Sequence, residues 1–447
     1  MESHRILDMI SSPADLKLLT NEELSILASE IREQIITTTS KTGGHVAPSL
    51  GVVELILACH SVLDCPHDKL LFDVGHQSYA HKLVTGRLGE FDTLRQFGGM
   101  SGFPKASESE YDVHPSGHAS DSVSVALGLA MARDLNGGDE RIVTIIGDAS
   151  LSGGMAFEAL NQLGQLQTPM VIILNDNEMS ISRNVGALAR YLGEKRASRE
   201  YTRTRDSVQS VLEASGPLGR GLVDLGRNAK DSFKQMVIPG EMLFEKLGIT
   251  CTAPIPGHDI AALKRALRVC LEADGPTLLH VVTKKGKGYE PAEENPSKFH
   301  GIGPYDIATG EVKKGSSSAP KYTSVFSKAI VAEAERDHDI VAITAAMKDG
   351  TGLAAFSEKF PKRFIDTGIA EEHAVALASG LALGGKKPVV CIYSTFMQRA
   401  FDQLVINNAL ANANVVFCLD RAGLVGDDGP THHGVFDIAY GRMVPGV

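Results

Sequence analysis

The chain has 447 residues, a hydrophobic content of 43% and a formal net charge of -10. This length exceeds one ordinary domain and the apolar content is enough for a sizeable core, so we expect a globular protein of two or more domains. The negative charge argues against binding to nucleic acid or to an anionic membrane, because either partner requires a basic surface. No apolar run approaches the ~20 residues of a membrane helix. Six scattered cysteines without a CxxC pair indicate reduced thiols in a cytoplasmic protein.

Short β-rich runs alternate with helical patterns through the first part of the chain. The predicted strands are 69–74, 141–146, 170–174 and 277–283, and the predicted helices among them include 121–135 and 154–166. This alternation is typical of βαβ units around a parallel sheet. The stretch 191–236 is charged and poorly patterned, and we expect a mobile, partly helical excursion there.

A break in composition separates this region from a second alternating one. The stretch GEVKKGSSSAPKY at 310–322 is rich in Gly, Ser, Pro and Lys, which is typical of an interdomain linker. The elements predicted after it are helices at 324–335 and 371–383 and strands at 340–344, 388–393 and 414–419. We therefore expect two doubly wound α/β domains, 1–312 and 323–447, joined by a linker at 313–322. Because the second shows only three or four strands before the chain stops, we expect it to be incomplete.

Polar side chains follow two of the predicted strands. Asp148 comes just after the strand in RIVTIIGDAS, and Asn177 follows the strand in VIILNDN. Ligands of parallel sheets bind outside the carboxyl ends of the strands, and neighbouring strands lie about 4.8 Å apart. A carboxylate and an amide oxygen are hard ligands suited to Mg²⁺, which completes its shell with water and phosphate oxygens. Small residues after Asp148 let the loop approach a phosphate at the N-terminus of the next helix. The alternative is an Asp helix cap followed by an Asn turn.

These motifs resemble those of a known enzyme family. Gly-Asp-x followed at this distance by Asn is similar to the diphosphate-binding motif of thiamine-diphosphate enzymes. The segments GMAFEALNQ, LNDNEMSIS and TKKGKGYEPAE narrow the resemblance to the 1-deoxy-D-xylulose-5-phosphate synthases, relatives of transketolase, from Lys41 to the last residue. The resemblance implies a homodimer that binds thiamine diphosphate and Mg²⁺. It also implies the condensation of pyruvate with D-glyceraldehyde 3-phosphate to 1-deoxy-D-xylulose 5-phosphate and CO₂, for isoprenoid, thiamine and pyridoxal synthesis.

The resemblance further implies which residues form the site. The cofactor contacts it implies are His76, Gly117, His118, Ala119, Asp148, Ala149, Ser150, Asn177, Tyr289, Glu371 and Phe396. The Mg²⁺ ligands it implies are Asp148, Asn177 and the backbone carbonyl of Met179. The catalytic residues it implies are Glu371, His45 and His432, and the substrate contacts are Tyr393, Arg399, Arg421, Asp428 and His300.

The chemistry of these side chains agrees with the roles that the resemblance implies. A carboxyl group at Glu371 facing an aminopyrimidine nitrogen favours the imino tautomer, whose 4′ nitrogen takes the proton from thiazolium C2. The guanidinium of Arg399 suits a sugar phosphate because it meets phosphate oxygens bidentately. Ordinary roles are the alternatives for each residue taken alone. These are an acidic first helical turn for Glu371, core packing for Phe396 and a solvated helix face for Arg399. For the lysines of TKKGK, the alternative is a surface position at which they reduce the negative charge of the protein.

Three positions depart from the family pattern. Ala149 stands where a second Gly is commoner, and its methyl group is tolerable only if φ is negative. Asp121 stands where a Thr or Ser is usual, at a helix start near the diphosphate, and can cap the helix or, if it faces the phosphates, repel them. Glu372 replaces a Gln, and the second charge next to Glu371 can raise the pKa of either acid. The chain also ends before the family's C-terminal domain, so we expect a truncated form. The alternatives are a transketolase, a pyruvate-dehydrogenase-type subunit, or a cofactor-binding chain without turnover.

Overall fold

A computed structural model describes residues 5–177, 185–197, 243–313 and 319–447. The chain divides into two compact units, Met1–Met179 with Leu188–Lys313, and Ser180–Ala187 with Lys314–Val447. Each unit contains a parallel sheet with helices packed against it. The predicted fold class is confirmed in this respect, whereas the exact domain bounds stay a prediction.

The first unit contains a six-stranded sheet within its described residues. Its strands are β1 (Lys69–Phe72), β2 (Ile142–Gly147), β3 (Val171–Asp176), β4 (Thr250–Cys251), β5 (Ile255–Pro256) and β6 (Thr277–Val282). Its helices are α1 (Pro13–Leu16), α2 (Asn21–Thr42), α3 (Val46–Leu50), α4 (Val53–Val62), α5 (Tyr79–Val84), α6 (Ser122–Asn136), α7 (Gly154–Leu166), α8 (Ala187–Ala197), α9 (Leu243–Lys246), α10 (Ile260–Leu271) and α11 (Glu290–Glu294). The strand order is β1-β2-β3-β6-β4, with β5 also paired to β6, and all pairs are parallel.

Alternate strand residues of this sheet pack into two different apolar clusters. Val143 and Ile145 join one cluster with α2, α4 and α10, and Ile142 and Ile146 join another with α6 and α7. Side chains alternate along a strand, so a sheet covered on both faces needs apolar residues at consecutive positions. The runs of β-branched residues in β2 and β3 meet this need. For this reason the predicted strands agree with the observed ones to within a residue or two at each end.

The first strand ends earlier than predicted. Val74 has a φ of 60°, which no strand allows and which is uncommon for a β-branched residue. Gly75 follows with a φ of 79°, and its amide donates to the carbonyl of Asp73 at 2.6 Å. This tight turn carries the chain from β1 to His76.

The second unit contains a four-stranded parallel sheet within its described residues. Its strands are β7 (Ile340–Thr344), β8 (Phe364–Asp366), β9 (Lys387–Tyr393) and β10 (Val416–Asp420), in the order β10-β9-β7-β8. Its helices are α12 (Tyr322–Arg336), α13 (Ala354–Lys359), α14 (Glu371–Leu383), α15 (Ser394–Met397), α16 (Phe401–Gln403) and α17 (Asp437–Met443), with a π-helical turn at Leu404–Ala409. Val341 and Ile343 pack with α14, and Ala342 packs with α12 and α13 on the other face.

The other predictions about the chain have mixed outcomes. Helix α12 begins at Tyr322, directly after its N-cap residue Lys321. Tyr322, which was predicted to end the linker, is therefore helical. Of the excursion predicted at 191–236, residues 191–197 belong to α8, and residues 198–236 lie outside the described part of the chain. All six cysteines are free thiols, as predicted. None of the helices in the described residues combines the length and apolar character that a membrane crossing needs.

Candidate active site

Asp148 and Asn177 directly follow the neighbouring parallel strands β2 and β3. Gly147, the last residue of β2, is paired with Asn175 of β3, so the two strands leave the sheet side by side. Asp148 is buried and Asn177 is partly buried. Both residues therefore follow strands at the carboxyl edge of one sheet, where ligands of parallel sheets bind. Met179, the third residue predicted to bind Mg²⁺, lies outside the described residues.

The first two residues of the NDN motif have structural partners. Asn175 is fully buried, donates to Gln77 Oε1 at 3.3 Å and accepts from Thr283 Oγ1 at 2.6 Å. Asp176 Oδ2 lies 2.9 Å from His280 Nε2. These contacts join β3 to β6 and to the segment after β1. Of the three residues of the motif, Asn177 is the one that lies beyond the end of β3.

The loop after Asp148 has the geometry that the Gly-to-Ala departure requires. Ala149 has a φ of -68°, which accepts a methyl group without strain. Its amide donates to Asp148 Oδ1 at 3.0 Å. Among the described residues, a side-chain carbon placed on Gly147 would meet nothing within 4 Å, and one on Gly154 would meet only a carboxylate oxygen at 4.0 Å. Within the described part of the chain, space is therefore open beside the backbone at both ends of this loop.

A second loop with three predicted cofactor contacts is tied to the first. Gly117 has a φ of 153°, a conformation that favours glycine, and it is followed by the partly buried His118 and the buried Ala119. The hydroxyl of Ser120 donates to the carbonyl of Ser150 at 2.7 Å. This bond joins the segment 117–119 to the loop after Asp148.

Three of the predicted histidines lie together in the first unit. The ring centroids of His45 and His76 are 6.0 Å apart, those of His45 and His300 are 6.1 Å apart, and those of His76 and His300 are 5.2 Å apart. Phe103 packs against His45 with a centroid distance of 5.2 Å. Burial, and to a smaller extent the charge of Lys285, hold the pKa of His300 well below its usual value. This ring is therefore neutral at pH 7.

Lys285, one of the lysines predicted to lie on the surface, belongs to this cluster. Its side chain is buried, and Nζ lies 2.9 Å from His300 Nδ1. Burial lowers its pKa to about 7, against the opposing effect of Asp148. The surface assignment is wrong for Lys285 because the turn reverses at Gly286, with a φ of 80°, and directs the side chain inward. Lys284 is exposed, as expected.

In the second unit, Glu371 is the first residue of α14 and is only 3% exposed. Its Oε2 lies 3.6 Å from Arg399 Nη1. Burial raises the pKa of Glu371 to about 7, and Arg399 and the helix backbone offset only part of this rise. Glu372, the residue that replaces Gln, raises this pKa slightly further. The carboxyl group therefore exchanges a proton near neutral pH.

Several predicted cofactor, catalytic and substrate residues of the second unit form an aromatic and cationic group. Tyr393 ends β9 and stacks on Phe396, with ring centroids 5.9 Å apart and an interplanar angle of 22°. His432 meets the edge of Phe396 at 5.5 Å, and the guanidinium of Arg421 lies 4.1 Å from the ring centre of Tyr393. Asp428 is partly buried in the loop before His432. Arg421 has a φ of 54°, so its side chain leaves β10 in an uncommon backbone conformation.

Comparison with known proteins identifies the family. The family model of 1-deoxy-D-xylulose-5-phosphate synthase matches residues 7–283, and that of the transketolase pyrimidine-binding domain matches residues 318–447. The chain belongs to the 1-deoxy-D-xylulose-5-phosphate synthase family. The synthase of Pelotomaculum thermopropionicum is 53% identical over 441 residues, which are 99% of this chain and 69% of that protein. The synthase of Desulforudis audaxviator is 54% identical over 440 residues, which are 98% of this chain and 69% of that protein.

Solved transketolases are more distantly similar. The enzyme from Leishmania mexicana has a TM-score of 0.43 and 17% identity, with 96% of this chain and 72% of that chain covered. The enzyme from Campylobacter jejuni has a TM-score of 0.44 and 18% identity, with 94% of this chain and 73% of that chain covered. These TM-scores and identities are low, and the fold of this synthase-family chain is assigned from the two sheets described above.

Two residues of this synthase-family chain have contacts that the sequence did not predict. Tyr289 is buried, donates its hydroxyl to the carbonyl of Ile307 at 2.7 Å and packs against Phe299. Its role as a cofactor contact stays a prediction. Asp121 occupies the N-cap position of α6, but its side chain makes no capping bond and instead lies 3.4 Å from His114 Nε2.

Proposed function

We propose that this chain carries out the synthesis for which its family is named. The reaction is the decarboxylative condensation of pyruvate with D-glyceraldehyde 3-phosphate to 1-deoxy-D-xylulose 5-phosphate and CO₂, with thiamine diphosphate and Mg²⁺ as cofactors. Family membership over nearly the whole chain supports the reaction. The observation that carries the proposal is Glu371, a buried carboxyl group at a helix start with a pKa near 7, within the region that matches a pyrimidine-binding domain.

The carboxyl edge of the first sheet fits a Mg²⁺–diphosphate group. Asp148 and Asn177 supply hard oxygen ligands at the ends of neighbouring strands. The open space beside Gly147 and Gly154 leaves room for phosphate oxygens, and the N-terminus of α7 favours an anion there. The buried amine of Lys285, with a pKa of about 7, carries a positive charge for part of the time at neutral pH, and the charge of Asp148 favours that form. We therefore assign the diphosphate and the metal to the first unit.

Glu371 has the properties of a group that exchanges a proton with a cofactor ring. When bound, thiamine diphosphate supplies the carbon nucleophile and the electron sink, and the protein binds, orients and moves protons. A carboxyl group with a pKa of about 7 holds a proton for part of the time at neutral pH, which matches the requirement for general acid–base work. Arg399 beside it keeps the ionised form accessible. Phe396 offers a ring face for the aminopyrimidine.

Both substrates are anions, and the chain carries a net charge of -10. Local cations must therefore bind them. In the second unit Arg421 and Arg399 are placed near Tyr393 and Glu371, respectively, and guanidinium groups bind carboxylate and phosphate bidentately. We assign the sugar phosphate to this group of cations. His45 and His432 are proposed as proton carriers, and His300 as a substrate contact. A homodimer in the cytoplasm is a further expectation from the family resemblance.

The proposed reaction is tested by turnover of the purified chain with thiamine diphosphate, Mg²⁺, pyruvate and D-glyceraldehyde 3-phosphate. We expect formation of 1-deoxy-D-xylulose 5-phosphate and release of CO₂ that depends on the added aldehyde. Glu371→Gln removes the titrating group and is expected to lower kcat by about a hundredfold or more. Glu372→Gln changes the adjacent residue in the same way and is expected to keep kcat within about threefold of the parent.

The outcomes separate the alternatives. A transketolase releases no CO₂ from pyruvate, and a pyruvate-dehydrogenase-type subunit makes no sugar phosphate. A chain that binds the cofactor and produces neither CO₂ nor product would contradict the proposed turnover while leaving the proposed cofactor site intact. Equal losses of kcat in Glu371→Gln and Glu372→Gln would contradict the role assigned to Glu371.

A further inference from the structure

A buried carboxylate at the end of β1 holds the backbone of the second cofactor loop. Asp73 is 5% exposed, and both of its oxygens accept from the amide of Ser120 at 2.9 Å. Oδ2 also accepts from the amide of Ser122 at 3.3 Å. Asp73 therefore caps the N-terminus of α6 from a distant part of the chain, in place of Asp121, whose side chain makes no capping bond.

The residue that Asp73 holds is in an unfavourable backbone conformation. Ser120 has a φ of 77°, in the left-handed region that is unfavourable for a residue other than glycine. Such a conformation persists only where the surroundings fix it. The bonds from the Ser120 amide to Asp73 provide that restraint.

Ser120 in turn contacts the loop after Asp148. Its hydroxyl donates to the carbonyl of Ser150 at 2.7 Å. The approach is so close that a side-chain carbon on Gly153 would collide with the Ser120 hydroxyl. One chain of contacts, from Asp73 through Ser120 to Ser150, therefore joins the end of β1 to both loops that carry predicted cofactor contacts.

We propose that Asp73 is a positioning residue for the diphosphate site, which fixes the segment 117–119 relative to the loop 148–153. This inference rests on the proposed function, because the ligand of the two loops is thiamine diphosphate with Mg²⁺. Asp73 acts through Ser120 and needs no contact with the cofactor. Supporting partners of this kind typically change ligand affinity by about 10–100-fold when mutated.

The same strand offers a matched control at its other end. Asp68 precedes β1, is also 5% exposed, and accepts two backbone amides, from Arg141 at 2.8 Å and from Asp64 at 2.7 Å. Its loss removes a buried carboxylate with backbone partners but leaves the 117–122 and 148–153 segments untouched. Asp73→Asn and Asp68→Asn are therefore comparable in chemistry and burial and differ in which loops they release.

The experiment compares the full chain with its Asp73→Asn, Asp68→Asn and Ser120→Ala variants. Amide hydrogen exchange without cofactor is measured first. We expect faster exchange in 117–122 and 149–153 for Asp73→Asn, faster exchange in 149–153 for Ser120→Ala, and no change in either segment for Asp68→Asn. Titration of thiamine diphosphate in the presence of Mg²⁺ follows. There Asp73→Asn is expected to raise Kd about tenfold or more, with Asp68→Asn close to the parent.

The two readouts keep this inference separate from the proposed function. If the parent chain binds no thiamine diphosphate, the proposed function fails, and the exchange data still decide whether Asp73 fixes the two loops. The positioning role is overturned if exchange in 149–153 is unchanged in both Asp73→Asn and Ser120→Ala. It is also overturned if Asp68→Asn raises Kd as much as Asp73→Asn does. If Asp73→Asn does not fold, Ser120→Ala carries the test alone.

Discussion

The substitution Asp112→Ala is expected to destabilise the first unit strongly. Asp112 is buried and accepts from His81 Nε2 at 2.9 Å, from both terminal nitrogens of Arg87 at 2.8 Å, and from the amide of Lys105 at 2.8 Å. The substitution removes the carboxylate that accepts both of these bonds and leaves the buried guanidinium of Arg87 with the more distant carboxylate of Glu108, at 3.9 Å. Removing one partner of a buried ion pair costs about 3–5 kcal/mol. We expect a loss of this size in the free energy of unfolding.

The assay is urea unfolding followed by far-UV circular dichroism, with Asp139→Ala as the control. Asp139 lies 3.0 Å from His67 Nε2, but its side chain is 92% exposed. Exposed pairs contribute about 0–1 kcal/mol. A loss for Asp112→Ala below about 1 kcal/mol, equal to that of the control, would refute the reasoning that burial makes the difference.

The same carboxylate predicts a pH dependence. Burial alone would raise the pKa of Asp112, but the hydrogen bonds from His81 and Arg87 outweigh it and hold the pKa well below the usual 3.8. A lowered pKa in the folded state contributes stability above the unfolded-state value, and this contribution is lost as pH falls below it. The parent is therefore expected to lose stability below pH 3.8 more steeply than Asp112→Ala.

Three further predictions concern both units. The pKa of Glu371 is raised by burial from 4.5 to about 7, so the second unit should lose stability as pH rises from 4.5 to 7, and Glu371→Gln should lack this loss in urea unfolding at each pH. Gly164→Ala should destabilise α7, because the new methyl group would overlap the carbonyl of Leu247. The control Gly128→Ala in α6 meets no atom of the described residues within 4 Å and should raise the free energy of unfolding by about 1 kcal/mol in the same assay. Lys285→Met should weaken the binding of thiamine diphosphate about tenfold, as measured by calorimetry, since it removes a buried amine that can carry a positive charge. An unchanged Kd would contradict its place in the diphosphate site.

The parts of the fold that the sequence predicts well depend on local patterns. Helices 154–166 and 371–383 and the strand 340–344 agree with the structure at both ends. Their apolar periodicity, or their run of β-branched residues, is sufficient without tertiary information. The positions of Asp148 and Asn177 also follow from local sequence, because polar residues directly after buried parallel strands must lie at the carboxyl edge.

The site residues that were not predicted from the sequence owe their positions to distant partners. Lys285 lies in a basic stretch that resembles a solvated turn, and its burial depends on the reversal at Gly286 and on His300. Asp73 is a short polar residue in DVGHQ, and its partner Ser120 is 47 positions away. No local pattern contains these contacts. The two glycines of GKG are the local feature that indicates an unusual turn after Lys285, and both have a positive φ in the structure.

The most direct test of the account is calorimetric titration of thiamine diphosphate into the purified chain, with and without Mg²⁺. We predict binding that requires Mg²⁺, is lost in Asp148→Ala and is retained in Asp139→Ala, an exposed aspartate of the same unit. Binding that needs no Mg²⁺ and survives Asp148→Ala would contradict the assigned site. In that case Asp148 and Asn177 would be a strand-end cap and a turn, and nothing more.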